Sequence, residues 1–211
     1  MKLAFLGDSI TDGTGASERD FCYVSQVGKM LGCEVINYGI GGTRYARKKE
    51  PSLIHRYDID FNLRTALLDK TADKIFVFGG TNDFGHGDAE FGKMGDYDPY
   101  TFYGAVNMLF STLIGMYGKE NVIIILPMKR FNMNVRINPV TGLHLIDYVK
   151  VIKEYVDLYG LKYIDLFNNF FPEPPEEESE FFVDGLHPND NGHKKIAEKI
   201  CEFIKNDKQI I

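Results

Sequence analysis

Hydrophobic positions along the chain follow two alternating patterns. Short uninterrupted apolar runs, such as Ile75-Phe76-Val77-Phe78 and Val122-Ile123-Ile124-Ile125, are followed by stretches whose apolar residues recur at helical spacing. An uninterrupted run suits a strand covered on both faces, as in a parallel sheet held between helices. Five strands are predicted, at residues 2–6, 34–37, 74–78, 122–126 and 162–165. Phe102, Val106, Leu109, Leu113 and Met116 share one helical face, and Leu145, Tyr148, Ile152, Tyr155 and Tyr159 share another. A last helix carries Ile196, Ile200 and Phe203, with Asn189 or Asn191 as its N-cap. The aromatic and Met residues on these faces are read as core. Strand and helix alternating in this way predict a doubly wound α/β domain around a central, mainly parallel five-stranded sheet.

A length of 211 residues suits one domain spanning 1–211. No internal repeat or separating linker is found. The one biased segment, Glu173-Pro174-Pro175-Glu176-Glu177-Glu178-Ser179-Glu180, reads as a solvated acidic loop. The longest irregular stretch is expected at residues 83–98, rich in Gly and Asp, and long loops of compact domains are often functional.

A net charge of −6 argues against nucleic acid and against an anionic membrane surface as partners, since both are bound through clustered Lys and Arg. The local basic patch of Arg44 and Arg47-Lys48-Lys49 is read as a solvated face. Cys22, Cys33 and Cys201 lack zinc-type or Cys-x-x-Cys spacing and are expected to be reduced, buried thiols. The run Leu3-Ala4-Phe5-Leu6 is too short for a signal peptide, and no stretch approaches the ~20 apolar residues of a membrane span. A cytoplasmic protein without a membrane anchor is the expectation. Oligomeric state is not legible.

Four short motifs follow predicted strands or precede the last helix, where an open α/β sheet forms its ligand crevice. Gly7-Asp8-Ser9-Ile10 puts a hydroxyl at a strand end, a weak signal by itself. Asn37-Tyr38-Gly39-Ile40-Gly41-Gly42-Thr43 permits close backbone approach to a ligand. It lacks both the Gly-Lys-Ser/Thr and the Gly-x-Gly-x-x-Gly signatures of phosphate loops. In Gly79-Gly80-Thr81-Asn82-Asp83, Asn82 offers an uncharged amide donor suited to an oxyanion, or serves only as a turn cap. In Asp184-Gly185-Leu186-His187-Pro188-Asn189, the Asp carboxylate can fold back onto the imidazole N–H, leaving the other ring nitrogen to take a proton from Ser. The rival, a metal-binding Asp–His pair, lacks further ligands at a recognisable spacing.

Together and in this order, the blocks Gly-Asp-Ser, Asn followed by Gly, Gly-x-Asn-Asp and Asp-x-x-His resemble the signature of the GDSL/SGNH hydrolases, the GDSL-like lipase/acylhydrolase family. The resemblance runs from Gly7 to His187. It implies a three-layer flavodoxin-like domain and a Ser-His-Asp triad of Ser9 as nucleophile, His187 as general base and acid, and Asp184 as its orienting partner. It also implies an oxyanion hole made by the backbone N–H groups of Ser9 and Gly42 and the side-chain amide of Asn82. No cofactor and no metal are implied.

The function expected is hydrolysis of carboxylic esters with short acyl groups, in a small-molecule substrate. Tyr97, Tyr100 and the Asp residues of the 83–98 stretch suggest an O-acetylated carbohydrate. Thioesterase and lysophospholipase activity, a ligand-binding module that has lost turnover, and a flavodoxin-like nucleotide binder are the rivals. Of the other histidines, His86 is a candidate to reach the substrate, whereas His55, His144 and His193 are expected at the surface or in caps.

Overall fold

The computed structural model describes residues 1–168, 170–171 and 178–207, so residues 173–177 of the acidic segment lie outside the described residues. In chain order the elements are β1 (Lys2–Gly7), α1 (Ser9–Asp12), α2 (Tyr23–Leu31), β2 (Glu34–Gly39), α3 (Phe61–Arg64), β3 (Lys74–Phe78) and α4 (Thr81–His86). There follow α5 (Phe102–Tyr117), β4 (Val122–Ile125), α6 (Leu145–Tyr159), β5 (Lys162–Ile164) and α7 (Asp190–Asn206). The strands form one sheet in the order β2-β1-β3-β4-β5, every neighbouring pair parallel.

Alternation along the inner strands sorts side chains to two cores. Ala4 and Leu6, Ile75 and Val77, and Val122 and Ile124 face α5 and α6. Leu3 and Phe5, Phe76 and Phe78, and Ile123 and Ile125 face α2 and α7. Both faces of each inner strand are therefore dry, which explains why these strands read as continuous apolar runs. The result is the three-layer α/β arrangement. Asn189 caps α7, its Oδ1 accepting from Gly192 N at 3.1 Å.

Two expectations are corrected. Residues 83–86 are not irregular but complete α4, whose C-terminal carbonyls are met from a distant loop. Buried Asn138 donates through Nδ2 to Asp83 O, Phe84 O and Gly87 O at 3.0–3.1 Å. Such help cannot be seen in the local sequence. His193 is fully buried rather than superficial: it accepts from Tyr23 N through Nδ1 and reaches Thr14 O through Nε2, both at 3.3 Å. His144, by contrast, does cap α6. Cys22 and Cys201 are buried and Cys33 half-buried, all three as free thiols.

Because β1 leads to β2 on one side and β3 lies on its other side, the strand order reverses at β1. The crevice beyond the carboxyl ends of β1 and β3 is where such sheets bind ligands. The nucleophile candidate follows β1, the glycine block follows β2, and Asn82 follows β3. Among the described residues no helix is long and apolar enough to cross a membrane.

Candidate active site

Ser9 opens α1, a helix of four residues seated on the carboxyl edge of the sheet. Asp8 caps it, its Oδ1 accepting from Ile10 N at 3.0 Å. Seating this helix requires a missing side chain below it. A Cβ on Gly39, at the end of β2, would stand 2.1 Å from Asp12 N. Asn37 fastens the same junction, donating through Nδ2 to Thr11 O at 2.6 Å while its Oδ1 accepts from Gly39 N at 2.7 Å.

His187 arrives from the far end of the chain. Its Nε2 lies 2.9 Å from Ser9 Oγ, across 178 residues of sequence, and its Nδ1 lies 2.6 Å from Asp184 Oδ2. A carboxylate only accepts, so Nδ1 carries the proton and Nε2 is the nitrogen that accepts from the Ser9 hydroxyl. The other carboxylate oxygen of Asp184 accepts from the backbone N–H groups of Leu186 and His187 at 3.0 and 2.7 Å. The fold-back depends on Gly185, whose φ of 71° is in the left-handed region. Partial burial pushes the Asp184 carboxyl upward, but these N–H donors and the imidazole outweigh it and hold it below the usual carboxylate range.

Ser9, Gly41, Gly42, Asn82 and His187 line one cleft of about 570 Å³. Two adjacent side chains of α4 hold the glycine loop in it. Asn82 Nδ2 donates to Thr43 O at 3.0 Å, and the buried Asp83 carboxylate accepts from Ala46 N and Tyr45 N at 2.9 and 3.1 Å. Burial raises Asp83 to about 6, against those same donors. The Asn82 amide nitrogen carries a second hydrogen, and Asn82 lines the cleft.

A residue that the motifs do not reveal braces this loop from below. Arg64, fully buried on α3, donates through Nη1 to Tyr38 O at 2.6 Å and through Nη2 to Gly7 O and Thr43 Oγ1 at 3.0 and 2.9 Å. It thereby ties the ends of β1 and β2 to the glycine loop. A lone Arg in an amphipathic stretch carries no sequence signal of such a role. Burial raises Asp8 to about 7, despite the Ile10 N–H and the Arg64 charge.

The basic patch is not simply a solvated face. Arg44 is buried at 3% exposure and, with Lys48, lines the cleft; Arg47 pairs with Asp60 at 2.8 Å and Lys49 with Glu90 at 2.6 Å. Arg44 is drawn inward by Tyr57 O, which accepts from its Nη2 at 3.1 Å. His86 also lines the cleft, together with Arg56, Tyr57 and Leu186. Tyr97 and Tyr100 do not. Tyr97 is turned to Ser111, and the Tyr100 ring sits under the Arg47 guanidinium. Among the described residues no three His, Cys, Asp or Glu side chains are grouped as metal ligands.

The family model for the GDSL-like Lipase/Acylhydrolase family matches residues 5–195. A solved structure of a protein from Lactobacillus plantarum is 28% identical and superposes with a TM-score of 0.81, over 98% of this chain and 97% of that one. The lipase/acylhydrolase from Enterococcus faecalis, 24% identical, shares the fold with a TM-score of 0.65 over 97% and 95% of the two chains. The acetyl xylan esterase AlAXEase, 22% identical, does so with a TM-score of 0.69 over 96% and 99%. None of the curated proteins compared by sequence matches the chain.

Proposed function

We propose, from the premise that this chain belongs to the GDSL-like Lipase/Acylhydrolase family, that it hydrolyses carboxylic esters with short acyl groups through Ser9, His187 and Asp184. The observation that carries this reading is the unbroken relay from Ser9 Oγ to His187 at 2.9 Å and on to Asp184 at 2.6 Å. A serine hydroxyl is a weak nucleophile until an oriented base takes its proton.

In the proposed reaction Ser9 Oγ attacks the carbonyl carbon as its proton passes to His187 Nε2. Asp184 stabilises the imidazolium without taking the proton. The backbone N–H groups of Ser9 and Gly42 and the free amide hydrogen of Asn82 receive the oxyanion. His187 then protonates the departing alkoxide. Water, activated by the same nitrogen, attacks the acyl-enzyme and restores Ser9.

A short acyl group is favoured by what lines the cleft. Leu186 and Tyr57 are its larger apolar side chains; the others are polar, charged or glycine. A long chain gains ~0.8 kcal/mol per methylene only where it finds apolar walls. O-acetylated carbohydrate is one substrate class in keeping with this, and an acetyl xylan esterase shares the fold.

The test is kcat/KM across p-nitrophenyl esters of about two to twelve carbons, with the Ser9→Ala variant alongside. Activity should be highest at acetyl and fall from butyryl onward. Ser9→Ala should lose both turnover and labelling by a fluorophosphonate while melting as the wild type does. Equal labelling of the two proteins overturns the nucleophile. A maximum at roughly eight carbons or more overturns the short-acyl assignment in favour of a lipase or thioesterase.

A further inference from the structure

The cleft that holds Ser9 is cationic in a chain whose net charge is −6. Arg44, Lys48 and Arg56 line it, against Asp12 as the one carboxylate of its lining. Among the described residues none of these three cations has a carboxylate partner within ion-pair distance. Lys48 Nζ donates to Ser52 Oγ at 3.1 Å, and the Arg56 guanidinium lies over the Tyr57 ring.

Arg44 is the decisive member. Its guanidinium touches only neutral acceptors: Gly42 O at 3.4 Å, Tyr57 O at 3.1 Å and His86 Nδ1 at 3.2 Å. Its Nε, buried, has no hydrogen-bond partner. The carboxylates whose fields reach it, Asp83 and Asp58, form no ion pair with it. Asp83 accepts from Tyr45 N and Ala46 N, and Asp58 accepts from Ser52 N at 3.1 and 2.9 Å. A buried guanidinium that no carboxylate hydrogen-bonds is costly, and an anionic ligand would supply the missing contact.

The donor chemistry of the cluster points the same way. Arg only donates, so His86 Nδ1 accepts from Arg44 and the imidazole proton sits on Nε2 as a further donor. Arg44, Lys48, Arg56 and His86 thus offer N–H groups with almost no acceptors among them. A neutral sugar needs both kinds, because each hydroxyl donates as well as accepts. A carboxylate or phosphate only accepts, and its hydrogen bonds to such donors are charge-assisted.

Resting on the ester-hydrolase reading of this cleft, we propose that the ester cleaved at Ser9 carries a second, anionic group, a carboxylate or phosphate, bound by Arg44, Lys48, Arg56 and His86. Gly42 links that cluster to Ser9, since its carbonyl accepts from Arg44 while Gly42 and Ser9 line the same cleft. The charged group therefore lies in the same cleft as the scissile carbonyl, on either the acyl or the alcohol fragment.

The experiment compares matched esters. The acyl arm sets p-nitrophenyl hemisuccinate against p-nitrophenyl butyrate. The alcohol arm sets a mono-O-acetylated methyl glucuronide, and a mono-O-acetylated methyl glucoside 6-phosphate, against the neutral mono-O-acetylated methyl glucoside. In at least one arm the anionic member should have a kcat/KM ~10–100-fold above its neutral partner, the range that one or two charge-assisted contacts provide. The preferred arm identifies the fragment and the anion. The ratio should shrink in high salt, which screens a cleft open to solvent. It should also drop several-fold in a Lys48→Gln, Arg56→Gln double variant, chosen because Arg44 also braces Gly42 and Tyr57. Turnover of the neutral esters with no preference for any charged one overturns the proposal and leaves the Ser9 assignment intact. So does a preference that the double variant and salt leave unchanged. No turnover of any ester overturns both.

Discussion

Asn82 donates through Nδ2 to the carbonyl of Thr43 at 3.0 Å, so the amide that follows β3 grips the glycine loop that follows β2. In the proposed reaction one side chain therefore has two tasks, holding the loop that bears Gly42 and donating its second amide hydrogen to the oxyanion. Replacing it should cost more than a surface amide would. For Asn82→Ala we expect kcat on a simple acetyl ester to fall by ~10²–10³, with a smaller change in KM, as for loss of one oxyanion donor. Steady-state kinetics check this. Turnover within a few-fold of wild type would reduce Asn82 to a turn residue.

Arg64 supplies a second anchor for the same loop. Without it, Tyr38 O, Gly7 O and Thr43 Oγ1 lose their donors in a buried site, and each acceptor left unpaired costs ~1–3 kcal/mol. The return of the guanidinium's own desolvation offsets part of that. Arg64→Met should lower unfolding stability by ~2–4 kcal/mol in urea melts. Where the variant is still folded, kcat should fall because the loop bearing Gly42 is no longer held to β1. An unchanged denaturation midpoint would show that the clamp is dispensable.

Asp8 makes stability depend on pH. Burial raises its carboxyl to about 7, from an ordinary value of 3.8. Between about pH 4 and 7 the folded chain therefore holds a proton at this site that the unfolded chain has released, so the Asp8 contribution falls as pH rises. Asp83, raised to about 6 by burial, acts in the same direction. His193, held down to about 4 by burial, acts in the opposite one. Asn caps a helix as well as Asp does. Asp8→Asn should consequently gain on wild type between pH 5 and pH 8, with Asp83 and His193 common to both proteins. Thermal melts at the two pH values measure the difference. A gap in Tm that stays constant or narrows would contradict the buried-carboxyl account.

Chelation should leave activity unchanged, since in the proposed reaction the nucleophile is activated by His187 alone. The check is ester hydrolysis after prolonged dialysis against EDTA. Loss of activity that zinc restores would replace the triad with a metal-bound water.

Sequence alone determined the strands and the chemistry-bearing blocks, each for a local reason. A parallel strand dry on both faces has to be written as an unbroken apolar run, and Ile75–Phe78 and Val122–Ile125 are so written. Asp184 and His187 were legible as a pair because three residues and a glycine suffice to fold one onto the other. Strand ends were less legible: β1 and β2 each run on into a glycine, Gly7 and Gly39, whose pairing is a property of the sheet. What tertiary structure decided is which polar residues are buried, and against what. Arg64 meets Gly7 across 57 residues, Arg44 meets His86 across 42, and His193 meets Thr14 across 179. Nothing near an arginine or a histidine in sequence records a carbonyl that folding will bring to it. The same residue type lies in solvent or beneath the glycine loop according to partners that only the closed fold supplies.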